Sequence, residues 1–131
     1  MVGIIRLGET VHDKGFVVDR SRGHPCYLFL LLNTPGKFYV DGSWQETPAG
    51  TVVVFQPGQK HLYGYTGKDN PGGTYADCWI HIESDLPLFH KVNFPFGKPI
   101  KTRNAAEYRE LFRLILREYF GTCLLYTSPS P

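Results

Sequence analysis

The sequence predicts a mainly β domain with one core, closed by a single C-terminal amphipathic helix. Three observations carry this. Residues 1–85 alternate short β-prone runs with Gly, Pro, Asp and Asn turn signals. From about Asn104 the apolar period changes from two to 3.6. A length of 131 residues suffices for one hydrophobic core and is short for two.

The elements follow in chain order. Phe16, Val17 and Val18 form a short β-prone run that stops at the turn-rich stretch Asp19 to Gly23. Tyr27 to Leu32 is continuously apolar, the pattern of a strand covered on both faces, and ends at Asn33, Thr34, Pro35 and Gly36. Lys37 to Val40 and Ser43 to Glu46 flank Asp41-Gly42, the dipeptide a two-residue hairpin turn prefers because both positions need positive φ. Pro48, Ala49 and Gly50 turn the chain into the β-branched strand Thr51 to Phe55, which Pro57-Gly58 stops. Leu62 to Thr66 and, after the loop from Gly67 to Gly73, Thr74 to Glu83 complete the set. Many short strands at this spacing imply a sandwich or barrel.

In the helix, predicted over 101–122 with Thr102 or Asn104 as cap, Tyr108, Leu111, Phe112, Ile115, Leu116 and Tyr119 share one face. Arg109, Arg113 and Arg117 repeat every fourth residue on another. With Glu110 and Glu118 interleaved, that stripe reads as a solvated face and not a phosphate track. The last nine residues, Cys123 to Pro131, continue neither pattern. Reverse-translated, they match run-through of a transposase sequencing-library adapter, so they are expected to be foreign and to pack poorly.

Composition narrows the function classes. A hydrophobic fraction of 42% with 15% aromatics describes a globular chain, not a disordered one. Fourteen Lys and Arg against twelve Asp and Glu leave only +2, without the basic stripe of a domain that grips nucleic acid alone. The longest apolar run falls far below the ~20 residues needed to cross a bilayer, and the start lacks the regions of a signal peptide, so no membrane partner and a cytoplasmic location are expected. Cys26, Cys78 and Cys123 are odd in number and show no CxxC spacing, which points to buried reduced thiols.

The chemistry-bearing stretch is Gly50-x5-Gln56-Pro57-Gly58-x2-His61. Pro57 fixes φ and Gly58 can take a backbone conformation closed to other residues, so the following strand is re-aimed across the barrel mouth, with His61 and Tyr63 on one side. This pattern resembles the second cupin motif in the sensor domains of the AraC family of bacterial transcription regulators. Asp19-Arg20-x2-Gly23-x3-Tyr27, Gly36, His61-x-Tyr63-Gly64 and Trp79 fit the same family at compatible spacing, and the resemblance covers roughly Phe16 to Ile82.

The resemblance implies a cupin-type double-stranded β-helix, a jelly-roll barrel over residues 1–100, followed by the amphipathic helix at the start of a linker and dimerisation region. It implies a non-enzymatic, sugar-sensing domain controlling carbohydrate-utilisation genes. The effector would be a monosaccharide, the full-length protein a homodimer, and DNA would be bound only by a helix-turn-helix domain absent from this chain. Arg20, Tyr63 and Trp79 match positions that line the family's sugar pocket. Asp77 stands where a pocket histidine is found, a departure that weighs against arabinose itself. Together they offer an aromatic face for the C–H face of a pyranose, with a guanidinium and a carboxylate for vicinal hydroxyls. His61 is a secondary candidate, or a structural residue hydrogen-bonded to its turn.

Each residue has a plainer reading too. Trp79 could serve only the core, and Arg20 could form an ion pair with Asp19 beside a turn. His12, His24, His81 and His90 share no spacing and read as structural. Two rival functions remain, a stand-alone small-molecule-binding cupin and a metal-dependent cupin enzyme. The enzyme needs several imidazoles and a carboxylate converging on one ion, yet no histidine occurs between Gly36 and Gly50, so neither metal nor cofactor is expected.

Overall fold

The computed structural model describes residues 2–67, 73–85 and 92–127 of the chain. His90, the loop residues 68–72, residues 128–131 and the side chain of Cys123 lie outside the described residues. The protein is mainly β, with two antiparallel sheets and one C-terminal helix. Its strands are β1 (Val2–His12), β2 (Val17–Arg20), β3 (Tyr27–Leu32), β4 (Gly36–Val40), β5 (Ser43–Thr47), β6 (Thr51–Phe55), β7 (His61–Gly64), β8 (Tyr75–Ser84) and β9 (Ile100–Lys101), followed by α1 (Ala105–Thr127). One sheet has the order β1-β8-β3-β6-β9 and the other β2-β7-β4-β5.

The main core lies between the sheets. Leu28, Leu30 and Leu32 of β3, Val53 and Phe55 of β6 and Tyr75 of β8 meet Val18 of β2, Phe38 and Val40 of β4 and Tyr63 of β7. Alternation sends the other side of the larger sheet outward, where Leu7, Leu31 and Cys78 pack against Phe112 of α1. β3 is therefore covered on both faces, as its unbroken apolar run predicts. The Asp41-Gly42 hairpin also forms as expected, with φ of +50° and +87° joining β4 to β5.

Several boundaries differ from the sequence reading. β1 pairs along its length with β8 and is one of the longest strands, although no strand was expected before Phe16. β2 continues through Asp19 and Arg20, so Arg20 is a strand residue opposite His61 and not part of a turn. β9, a two-residue strand on the edge of β6, was not anticipated.

The helix is entered through Asn104, whose carbonyl accepts from the Tyr108 amide, while the Thr102 hydroxyl accepts from the Asn104 amide. It runs to Thr127, past the expected end at 122, because no proline or glycine interrupts Thr122 to Thr127. Its packing face is Ala105, Phe112, Ile115, Leu116 and Tyr119. Tyr108 and Leu111, expected on that face, remain about half exposed at the edge of the helix–sheet groove. Nor are all the arginines merely solvated. Arg109 donates to Asn33 Oδ1 at 2.7 Å and Arg113 pairs with Glu9 at 2.8 Å, so both tie the helix to the sheet. No helix among the described residues is long and apolar enough to cross a membrane.

Candidate functional site

A cavity of about 680 Å³ opens between the two sheets. Arg20 from β2, Tyr63 from β7 and Asp77 and Trp79 from β8 all line it. Alternation explains the last two: Asp77, Trp79 and His81 occupy one face of β8, while Cys78 faces the helix side. Opposite them on β1, the register pairs Thr10 with Asp77, Gly8 with Trp79 and Arg6 with His81. Between Ile4 and Arg6 the ladder slips by one residue, a β-bulge at Ile5. A bulge lets two consecutive side chains share one side of the sheet, and both Ile5 and Arg6 line the cavity.

Trp79 lies flat against β1. A Cβ on Gly8 would sit 2.6 Å from the indole Cζ2, and the indole Nε1 donates to Thr10 Oγ1 at 2.7 Å. Part of the indole packs on the main core and the rest borders the cavity. The Arg6 guanidinium stands 5.8 Å from the ring centroid, within cation–π range. Gly8→Ala is therefore expected to lift the indole off β1. In a Trp44→Phe background, where Trp79 is the sole tryptophan, its emission maximum should shift and stability should fall by about 1–3 kcal/mol. An emission spectrum unchanged by the substitution would show that the indole does not rest on Gly8.

Asp77 is buried and accepts a hydrogen bond from the Tyr75 hydroxyl at 2.9 Å. Burial pushes its carboxyl up to about 6, against the opposing effect of that hydrogen bond. Tyr63 and Tyr75 are both held well above the usual phenol range, first by burial and then by the nearby Asp77 charge. They are neutral hydroxyls at physiological pH.

His61 is fully buried and lies behind the cavity wall, not on it. It is not hydrogen-bonded to its turn. Nδ1 faces Arg20 Nη1 at 3.4 Å, and since a guanidinium can only donate, the proton of the neutral ring is on Nε2. That Nε2 is buried without a hydrogen-bond partner. Burial, followed by the Arg20, His24 and His81 charges, holds the ring down at about 4.

The fold gathers residues that spacing alone left apart. His24 and His81 both line the cavity, their rings edge to face at 4.7 Å, and His24 also meets the His61 ring edge-on at 5.5 Å. Cys26 Sγ is 3.4 Å from His81 Nδ1. His81 is held at about 4, first by burial and then by the His24, Arg20 and Arg6 charges. His12 stacks on Phe16 at 3.7 Å on another part of the wall. Arg6 was missed with β1, although Arg6, Gly8, Thr10 and His12 alternate with Leu7, Glu9 and Val11 as a two-faced strand does. Cys26 and Cys78 are buried free thiols. Among the described residues no group of three or more His, Cys, Asp or Glu side chains is placed to hold a metal ion. Likewise no carboxylate among them is ion-paired with Arg20, so the Asp19 partnership is not formed.

The chain matches no protein-family model, and no curated protein matches it.

Proposed function

We propose that this chain is the effector-sensing domain of an AraC-type transcription regulator, a cupin-type jelly-roll barrel that binds a monosaccharide or related polyol. The observation that carries the reading is the convergence of Arg20, Tyr63, Asp77 and Trp79, from three strands of two sheets, on one cavity. Its volume of about 680 Å³ is of the size that takes small molecules. The wall has the composition a sugar asks for, an indole, phenol and carboxyl hydroxyl partners and a guanidinium. Strand orders β1-β8-β3-β6 and β2-β7-β4-β5 have the interleaving expected of a jelly roll, which supports the cupin part of the reading. In this reading DNA is contacted by a separate helix-turn-helix domain and the whole regulator is a homodimer.

Calorimetric titration of pentoses, hexoses and uronic acids into the wild-type chain and Arg20→Ala tests it. Loss of the charge-assisted hydrogen bonds, worth about 1.5–3 kcal/mol, should weaken binding roughly tenfold to a hundredfold. A ligand stacked on Trp79 should also change its fluorescence. If no sugar binds, or if Arg20→Ala binds as the wild type does, the cavity senses something else.

A further inference from the structure

The charges on the cavity wall carry the reading one step further, to the class of sugar. Two exposed arginines reach the cavity from opposite sheets, Arg6 from β1 and Arg20 from β2. Among the described residues neither is ion-paired with a carboxylate. Imidazoles of His24 and His81 lie in the same part of the wall, and both arginine charges bear on them. The acids of the wall do little to balance this. Asp77 takes its hydrogen bond from Tyr75 and not from an arginine, and Asp19 is exposed on β2. Two guanidiniums on one concave wall without a carboxylate partner among the described residues raise the local potential for an anion, and the fork of donors on each matches carboxylate or phosphate oxygens.

We infer that the effector is an anionic sugar, whose carboxylate or phosphate is held at the mouth between Arg6 and Arg20 while the ring reaches inward to Trp79 and Asp77. This rests on the sugar-sensing reading above. The bulge at Ile5 supports it independently of charge, since the strand departs from regular pairing at the point where Arg6 joins the cavity wall.

Matched ligand sets separate the possibilities: glucose, glucuronate and glucose 6-phosphate, and the same three forms of galactose, titrated at low and high salt. In at least one set an acid or phosphate should bind tenfold or more tightly than its neutral parent, and which of the two does so identifies the anionic group. That advantage should shrink at high salt and in Arg6→Gln. Arg6 is exposed and gives up only its cation–π approach to Trp79, so Arg6→Gln should stay folded with at most a small drop in unfolding midpoint, and Arg6→Glu should abolish the preference altogether. Neutral sugars binding as tightly as their anionic partners, or an anion preference unchanged by both Arg6 variants, would overturn the inference and leave the sugar-sensing reading standing. Failure of all six ligands to bind would overturn both.

Discussion

Gly23→Ala is expected to cost about 3 kcal/mol or more and to disrupt the cavity wall that Arg20 and His24 form. Gly23 has φ of +58°, so any side chain there carries left-handed strain of about 1–2 kcal/mol. The close approach matters more. A Cβ at this position would stand 1.9 Å from the Gln59 carbonyl oxygen and 3.2 Å from His61 Nε2. Backbone cannot rotate aside as a side chain can, so the stretch after β2 must separate from the turn before β7. Those segments are stitched together by the Gly58 amide donating to the His24 carbonyl at 2.8 Å, and their separation would carry Arg20 and His24 away from the cavity. Gly42→Ala is the control. Gly42 has φ of +87° with nothing near its Cβ direction, so that variant registers strain alone. Urea denaturation of the two proteins should place Gly23→Ala at least 1 kcal/mol below Gly42→Ala, and equal losses would mean that the close approach is not rigid.

The second large effect is on the pH dependence of stability, where His61 and Asp77 act in opposite directions. His61 titrates near 4 in the folded protein against an ordinary 6.5, so its contribution is present above 6.5 and is lost as pH falls through 4. At ~1.4 kcal/mol per pKa unit this is about 3 kcal/mol. His81, also near 4, adds to the same loss, reduced by its partial exposure. Asp77, raised from 3.8 to about 6, does the reverse: its contribution is present below 3.8 and is lost as pH rises through 6. Two histidines outweigh one carboxyl, and the wild-type protein should lose stability from pH 6.5 towards 4. His61→Gln should flatten that slope. Asp77→Asn keeps an acceptor for the Tyr75 hydroxyl, and should raise stability at pH 7 by about 1–3 kcal/mol while making the acid loss steeper. Urea midpoints between pH 4 and 8 measure all three proteins. A slope that His61→Gln leaves unchanged would mean the buried ring is not the group being charged.

What could be read beforehand followed from local chemistry. Asp41-Gly42 announces its turn because the two φ values are a property of those residues, and β3 announces double burial because every residue from Tyr27 to Leu32 is apolar. Tyr63, Asp77 and Trp79 were placed on one wall by alternation within their own strands. The unread part depends on pairing between distant segments. Arg6 reaches the cavity because β1 lies beside β8, some seventy residues later, and its polar alternation has little to mark it as a strand on its own. His24 and His81 meet because β3 pairs with β8 and the turn before β3 folds over the same end. No spacing between positions 24 and 81 encodes that. The helix face departs from its apolar periodicity for a related reason: Arg109 and Arg113 find partners in Asn33 and Glu9, so the groove is filled along Ala105, Phe112 and Tyr119 while Tyr108 and Leu111 sit at its edge.

The extra residue in β1 separates two properties of the cavity wall, its shape and its charge. Ile4 stands opposite Ile82 and Arg6 opposite His81, which are themselves consecutive in β8. Removing Ile5 would thus join two stretches already in register and leave every other pair in place. Shape at the rim can be edited here by chain length, one codon in or out, while the guanidinium, the indole and the ladder behind them keep their addresses. Substitution at Arg6 does the converse, altering charge with shape held. Chain length and side-chain chemistry are thus two independent handles on one stretch of the cavity wall.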